Sequence, residues 1–155
     1  MALVLADLLA EEHVTLDLRA RTREEALREI VATMQGDGKV TEPDKLLAQV
    51  IAREEAHSTF MGRGVAFPHA RSTLVTQIVL GIGRSRDGVP FGGGGELAHL
   101  LFVIAVPQQM VTDYLVCVGA LARLVRDDET RAALDEATTP AEFVERLRVG
   151  SLLLE

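Results

Sequence analysis

Cysteine is almost missing from this chain: Cys117 is the single one among 155 residues, so no disulfide can close within it. It lies in the apolar run YLVCVGALARLV, where a small buried thiol packs much as alanine does. No activating partner stands near it in sequence, which argues against catalysis through it. A basic surplus is missing too. The 16 Lys and Arg face 23 Asp and Glu, a formal net charge of −7, and the basic residues are scattered along the chain. Nucleic acid is therefore not an expected partner, whereas steering toward a basic patch on another protein is compatible with the charge. Long apolar runs are also absent. The longest, LLFVIAV at residues 100–106, is far short of the roughly 20 residues that cross a bilayer. The opening MALVLADLLAEE has no positive residue ahead of it and is interrupted by Asp7, which reads poorly as a secretion signal. The expectation is a soluble cytoplasmic protein without direct membrane insertion.

What is present is a chain with 48% apolar content, long enough to form one domain over residues 1–155 that buries roughly two-thirds of its unfolded surface. LVLADLL spaces its leucines for a short helix, and HVTLDL alternates as a half-buried strand does. Thr22 followed by Glu25 forms a capping box for a helix to about Met34, stopped by Gly36 and Gly38. Thr41, Pro43 and Asp44 open a second helix to about Glu55, with Pro43 placed where its missing N–H costs nothing. Residues 57–67 lose the helical pattern; only Val65 to Phe67 look extended before Pro68. Residues 74–84 read as a strand rich in β-branched side chains, DGVPFGGGGE as a glycine-dense connection, and HLLFVIAVP as a strand able to pair with the first. Thr112 or Asp113 suits the cap of a helix to Val125, and a short helix follows near residues 128–137. Thr139, Pro140 and Glu142 open a last helix through Arg148, with Phe143, Val144 and Leu147 on one face. Helices and strands thus interleave, and the fold class is α/β: a single mixed sheet of about four or five strands flanked by helices. The apolar stripes of the helices serve a core or a homodimer contact equally, so a homodimer stays open.

The informative passage is AREEAHSTFMGRGVAFPHAR, residues 52–71. It gathers an arginine, two hydroxyls, two loop glycines and a Pro-His pair between a helix and a strand. A neutral imidazole is a competent nucleophile near neutral pH, because its ordinary pKa of about 6.5 leaves a large share with a free lone pair. His69 fits that role. A phosphoryl group in transfer asks for in-line geometry and for cationic or N–H donors around its oxygens. Arg53 offers a planar guanidinium, Ser58 and Thr59 offer hydroxyls, and Gly62 and Gly64 allow close approach of backbone N–H groups. Arg71 and Arg63 are further candidates. Pro68 fixes its own φ and biases Phe67 to an extended backbone, which holds His69 at a strand end.

Bland readings stand beside these. Ser58 and Thr59 serve equally as turn or capping residues, and Arg53 as half of a surface ion pair of little value. His13, His57 and His99 read as structural. His57 and His69 lack a third ligand at familiar spacing, so no metal is expected. Gly92 to Gly95 lack a following Lys-Ser or Lys-Thr and read as a hairpin connection instead of a phosphate cradle.

The same passage, with Arg-Glu ahead of Ser-Thr, a Gly-x-Gly turn, an apolar pair and Pro-His, resembles the type-2 EIIA domains of the bacterial phosphotransferase system. The resemblance continues through FVIAVP and the helix ending LARLV. It implies that His69 accepts phosphate from a phosphohistidine on HPr or a homologous carrier, passes it to an EIIB component, and needs no cofactor. Fructose, mannitol and nitrogen-related members all fall within it. The family also implies a second histidine at the start of the helix after FVIAVP, and here the register puts Tyr114 there. Asp113 or Tyr114 is then the group beside the His69 ring. Phe60 and Met61 replace smaller residues in the loop. A second function of a different class is a regulatory binding module with slow or lost phosphotransfer, and a third is a hydrolase with His69 as base.

Overall fold

The computed structural model describes residues 5–35, 38–91 and 94–153. It shows the expected α/β architecture: a mixed five-stranded sheet between two layers of helices. The strands are β1 (Val14–Thr15), β2 (Val65–Ala66), β3 (His69–Ser72), β4 (Val79–Pro90) and β5 (Leu97–Pro107). The helices are α1 (Arg23–Thr33), α2 (Pro43–Ala56), α3 (Val111–Arg126), α4 (Asp128–Glu136) and α5 (Pro140–Leu153).

β4 and β5 form the long antiparallel pair at the centre; β1 lies parallel to β4 on one side, and β2 and β3 lie one after the other parallel to β5 on the other. The alternation of side chains along β5 explains the two layers. Leu100, Phe102, Ile104 and Val106 point into a cluster with α3, α4 and α5, while Leu101, Val103 and Ala105 point into a cluster with α1 and α2. A strand covered on both faces reads as an unbroken apolar run, which is why HLLFVIAVP stands out in the sequence.

Several boundaries differ from the sequence expectation. The strand expected over residues 74–84 is β4, which starts at Val79 and runs on to Pro90. Ahead of it the chain bends, with Ser72 Oγ accepting from the Leu74 N–H at 2.9 Å. Past Arg84 the pairing with β5 shifts register before Val89, and Gly88 takes φ +87° in between; a bulge of this kind lets the hairpin continue. The residues DGVP therefore belong to the strand. β3 is a strand the sequence pattern did not show, its four residues alternating between burial and exposure. HVTLDL yields only the two residues of β1. Gly36, Gly92 and Gly93 lie outside the described residues.

The starts of α1 and α5 follow their caps. Thr22 accepts from the Glu25 N–H at 3.2 Å, and Thr139 accepts from the Glu142 N–H at 3.1 Å. Pro43 occupies the first turn of α2, although Glu42, not Thr41, precedes it as the cap. α3 starts after Met110, with Thr112 and Asp113 inside its first turn and no side-chain cap. The α5 helix runs past Arg148 to Leu153. Among the described residues no helix is long and apolar enough to cross a membrane.

Candidate functional site

His69 is the first residue of β3, held against β5 opposite Ile104. Its placement is set by the two residues before it. Phe67 is buried and stacks on Phe102 with ring centroids 5.5 Å apart, and the Pro68 carbonyl accepts from the Ile104 N–H at 2.9 Å. The Phe67 carbonyl is thereby fixed 3.1 Å from His69 Nδ1. A carbonyl oxygen only accepts, so the neutral ring carries its proton on Nδ1 and its lone pair on Nε2. The second contact at Nδ1 comes from α3: the Tyr114 hydroxyl oxygen is 3.2 Å away, and the two rings lie 4.9 Å apart, tilted by 38°. Of the two groups expected beside His69, Tyr114 is the one that reaches it.

An open cavity of about 480 Å³ surrounds this ring, lined by Gln49 and Arg53 from α2, His69 and Arg71 from β3, and Val111 and Tyr114 from α3. Arg53 lies in the last turn of α2 and donates from Nη1 to the His57 carbonyl at 2.7 Å. Partial burial is the main cause that pushes the His69 pKa below its ordinary value; the Phe67 hydrogen bond opposes it, the Arg53 charge adds to it, Glu54 opposes it and Arg71 adds to it. Burial likewise raises the Tyr114 pKa, so the phenol keeps its proton. Two cations near a neutral, half-buried imidazole with a free Nε2 suit an incoming dianion such as a phosphoryl group.

Ser58, Thr59, Gly62 and Gly64 do not line this cavity. The reason for Thr59 is a buried carboxylate: Glu54, only 1% exposed, accepts from the Thr59 N–H at 2.9 Å and from its hydroxyl at 2.6 Å. Ser58 Oγ accepts from the Phe60 N–H at 3.2 Å, a local turn contact. Gly62 and Gly64 take φ of +83° and +76°, and the Gly64 carbonyl accepts from the N–H groups of His99 and Leu100. Arg63 points elsewhere, donating to the Arg126 carbonyl at 3.0 Å and to Asp128 at 2.7 Å. This loop is thus tied to the α3–α4 junction. Phe60 packs against the α1–α2 cluster, and Met61 is exposed.

Two residues entered the sequence reading only as helix neighbours with which Arg53 could pair at the surface, not as part of the site. Gln49 sits four residues before Arg53 on α2, so helical spacing alone was a signal for it. Glu54 carried no signal, because a carboxylate in an acidic helix gives no hint that it is buried. Cys117 is buried, with its thiol pushed up to about 12 by loss of solvent. Among the described residues no group of three or more His, Cys, Asp or Glu is placed to hold a metal ion.

Comparison with known proteins bears on the family and the fold. Residues 7–149 match the family described as "Phosphoenolpyruvate-dependent sugar phosphotransferase system, EIIA 2". The fructose-specific EIIA component of Haloferax volcanii is 30% identical over 127 residues, covering 81% of this chain and 82% of the relative. The fructose-specific EIIABC component of Bacillus subtilis is 28% identical over 142 residues, 91% of this chain but 22% of the relative. The chain therefore spans under a quarter of that larger protein. Among solved structures, the nitrogen regulatory protein IIA-Ntr of Neisseria meningitidis superposes with a TM-score of 0.84 at 24% identity, covering 92% of this chain and 98% of that one. This likeness bears on the fold.

Proposed function

The chain belongs to the EIIA 2 family of the phosphoenolpyruvate-dependent sugar phosphotransferase system, and on that premise we propose that it is a phosphohistidine carrier working through His69. The observation that carries the proposal is the pairing of the Phe67 carbonyl with His69 Nδ1, which leaves the lone pair on Nε2 for a phosphoryl donor. Nε2 attacks the phosphorus of a phosphohistidine on an HPr-like carrier. The new P–Nε2 bond forms as the donor's P–N bond breaks, its electron pair returning to the donor imidazole. Arg53 and Arg71 hold the phosphoryl oxygens, which bear the charge of a loose transition state. A nucleophile of an EIIB component then bonds the same phosphorus as the P–Nε2 bond breaks, its electron pair returning to the His69 ring. An EIIB partner is supported by the name of the Bacillus subtilis relative, an EIIABC component that this chain matches over 22% of its length.

The donors and acceptors in this reading are proteins, and the surface beside the site suits them. Leu115 and Val116, next to Tyr114 on α3, are 61% and 54% exposed. Exposed apolar side chains grouped beside a polar site are a common element of protein interaction surfaces. The proposal includes one domain, a cytoplasmic location and no cofactor.

The test is intact mass after incubation with phosphoenolpyruvate, Enzyme I and HPr, beside a His69→Ala control. An acid-labile gain of one phosphoryl group, absent from the control, is expected; equal gain in both overturns the site. A regulatory binding module is the second reading, favoured by Tyr114 at the position where a second histidine is expected. It predicts partner binding that phosphorylation does not change.

A further inference from the structure

The double contact at His69 Nδ1 places opposite demands on one nitrogen. The Phe67 carbonyl, 3.1 Å away, only accepts and is served by a protonated Nδ1; the Tyr114 hydroxyl, 3.2 Å away, donates or accepts and suits either state. In the unphosphorylated ring the proton on Nδ1 goes to Phe67, and the phenolic oxygen shares it. Phosphorylation changes the demand. Attack by Nε2 leaves phosphorus on that nitrogen and the proton on Nδ1, so the ring is formally cationic. Release of the Nδ1 proton to water makes the ring neutral, but its new lone pair then faces the Phe67 carbonyl oxygen. That state is tolerable only where a donor turns toward Nδ1, and the Tyr114 O–H is in place to do so by rotation about one bond.

We propose that Tyr114 is a positioning residue that sets the protonation state of phosphorylated His69, donating its O–H to Nδ1 and stabilising the neutral phosphoimidazole. The inference rests on the carrier reading above. Its consequence is a longer life for the carried group. When water attacks, its oxygen bonds to phosphorus, the P–Nε2 bond breaks with its pair on Nε2, and the water proton is lost. With Nδ1 protonated the departing group is neutral imidazole. With Nδ1 bare it is imidazolate, a much stronger base and a poorer leaving group. The hydroxyl therefore slows loss of the group to water.

Other charges facing the ring act in both directions. Arg53 from α2 and Arg71 from β3 favour the neutral ring, while Glu54 from α2 favours the cation, as does the phosphoryl charge itself. The phenol remains protonated, since burial raises its pKa. A histidine at this position would offer an imidazole that itself gains a proton near neutral pH, whereas tyrosine supplies a donor that does not titrate there.

The phospho-protein can be prepared with phosphoramidate, a small reagent that phosphorylates histidine without a partner protein, and in parallel with phosphoenolpyruvate, Enzyme I and HPr; His69→Ala serves as blank. Loss of the group is followed by intact mass from mildly acidic to mildly alkaline pH for the wild type and Tyr114→Phe. The variant should lose it about three- to tenfold faster at the alkaline end, with the midpoint of the profile raised by about half to one pH unit, the worth of one ordinary hydrogen bond. The two proteins should converge at the acidic end, where both rings are protonated. Equal rates and midpoints in two proteins that both take up phosphoryl overturn the role of Tyr114 and leave the carrier reading standing. No uptake by the wild type from either donor overturns both. Nitrogen-15 spectra of labelled histidine follow the same titration directly: the Nδ1 midpoint of the phospho-protein should lie about half to one pH unit lower in the wild type than in Tyr114→Phe, and equal midpoints overturn the inference.

Discussion

At the residue scale, Arg53 and His69 form a pair whose effects run in one direction. A cation beside the ring disfavours imidazolium and favours an incoming dianion, so in the proposed carrier one guanidinium adds to burial in keeping the ring neutral and attracts the phosphoryl group. Arg53→Ala should slow phosphoryl uptake about 10- to 100-fold, the worth of one charge-assisted hydrogen bond, with the circular dichroism spectrum unchanged because its bond to the His57 carbonyl is exposed. Uptake kinetics with phospho-HPr check this. The pH dependence has a definite sign. The His69 pKa is held below 6.5, chiefly by burial. Uptake by the wild type should therefore persist as pH falls to 6.5 and be lost only below it. In Arg53→Ala, where one of the lowering causes is gone, the midpoint should rise. For stability, the unfolded chain binds the His69 proton first on acidification; the contribution of neutral His69 is complete above the unfolded value and is lost as pH falls through the folded one. His69 and Arg53 were legible from the passage that holds them. Thr59 was not assignable, since its hydroxyl could bond a ligand or a buried neighbour, and only the tertiary structure shows Glu54 beside it.

At the scale of elements, the starts of α1, α2 and α5 and the central strand were read almost to the residue, because Thr22, Pro43 and Thr139-Pro140 act within one turn of themselves; the start of α3, which has no side-chain cap, was not. The start of β4 and the whole of β3 were not, because what makes a short segment a strand is a partner. β3 earns its ladder only from β5. β4 also shows how close packing is arranged. Leu80 and Ile82 fill one face, and on the other a Cβ added at Gly81 would lie 2.7 Å from Met34 and one at Gly83 2.6 Å from Ile30, so α1 rests directly on the backbone. The next residue, Arg84, is 6% exposed and binds α4 to the sheet. Its Nε donates to the Leu16 carbonyl at 3.2 Å, and its Nη1 faces the carbonyls of Leu134 at 2.9 Å, Asp135 at 3.1 Å and Ala137 at 2.8 Å. The last three lie at the end of α4, where a helix C-terminus leaves carbonyls short of partners; of them Leu134 also accepts from the Ala137 N–H. Arg84→Leu should cost roughly 2–3 kcal/mol, because buried acceptors lose their donor. Urea unfolding should show a lower midpoint with an unchanged slope.

At the scale of the whole molecule, two apolar clusters share one sheet, and β5 contributes alternate side chains to both. Neither layer can be removed without exposing one face of β5, so the chain should unfold as one cooperative unit. The composition supplies a direct probe. Tyr114 is the single tyrosine and there is no tryptophan, so intrinsic tyrosine emission reports on the site alone. Thermal or urea unfolding followed at Tyr114 should coincide with far-ultraviolet circular dichroism. Separate transitions would show that α3 and the site come apart from the sheet before the rest.

The amino-acid sequence by itself determined the fold class, most helix starts, the central strand and the candidate nucleophile, since these rest on local periodicity, capping chemistry and a dense run of polar residues whose spacing survives in one dimension. The donor set was decided only in three dimensions. Residues 49 and 53 on α2, 69 and 71 on β3, and 114 on α3 meet at one cavity, while Ser58, Thr59, Gly62 and Gly64, close to His69 along the chain, are engaged by Phe60, Glu54, Val65, and His99 with Leu100. Proximity in sequence does not fix which hydrogen-bond partner a short polar side chain takes. Burial and strand register do, and both are properties of the assembled sheet.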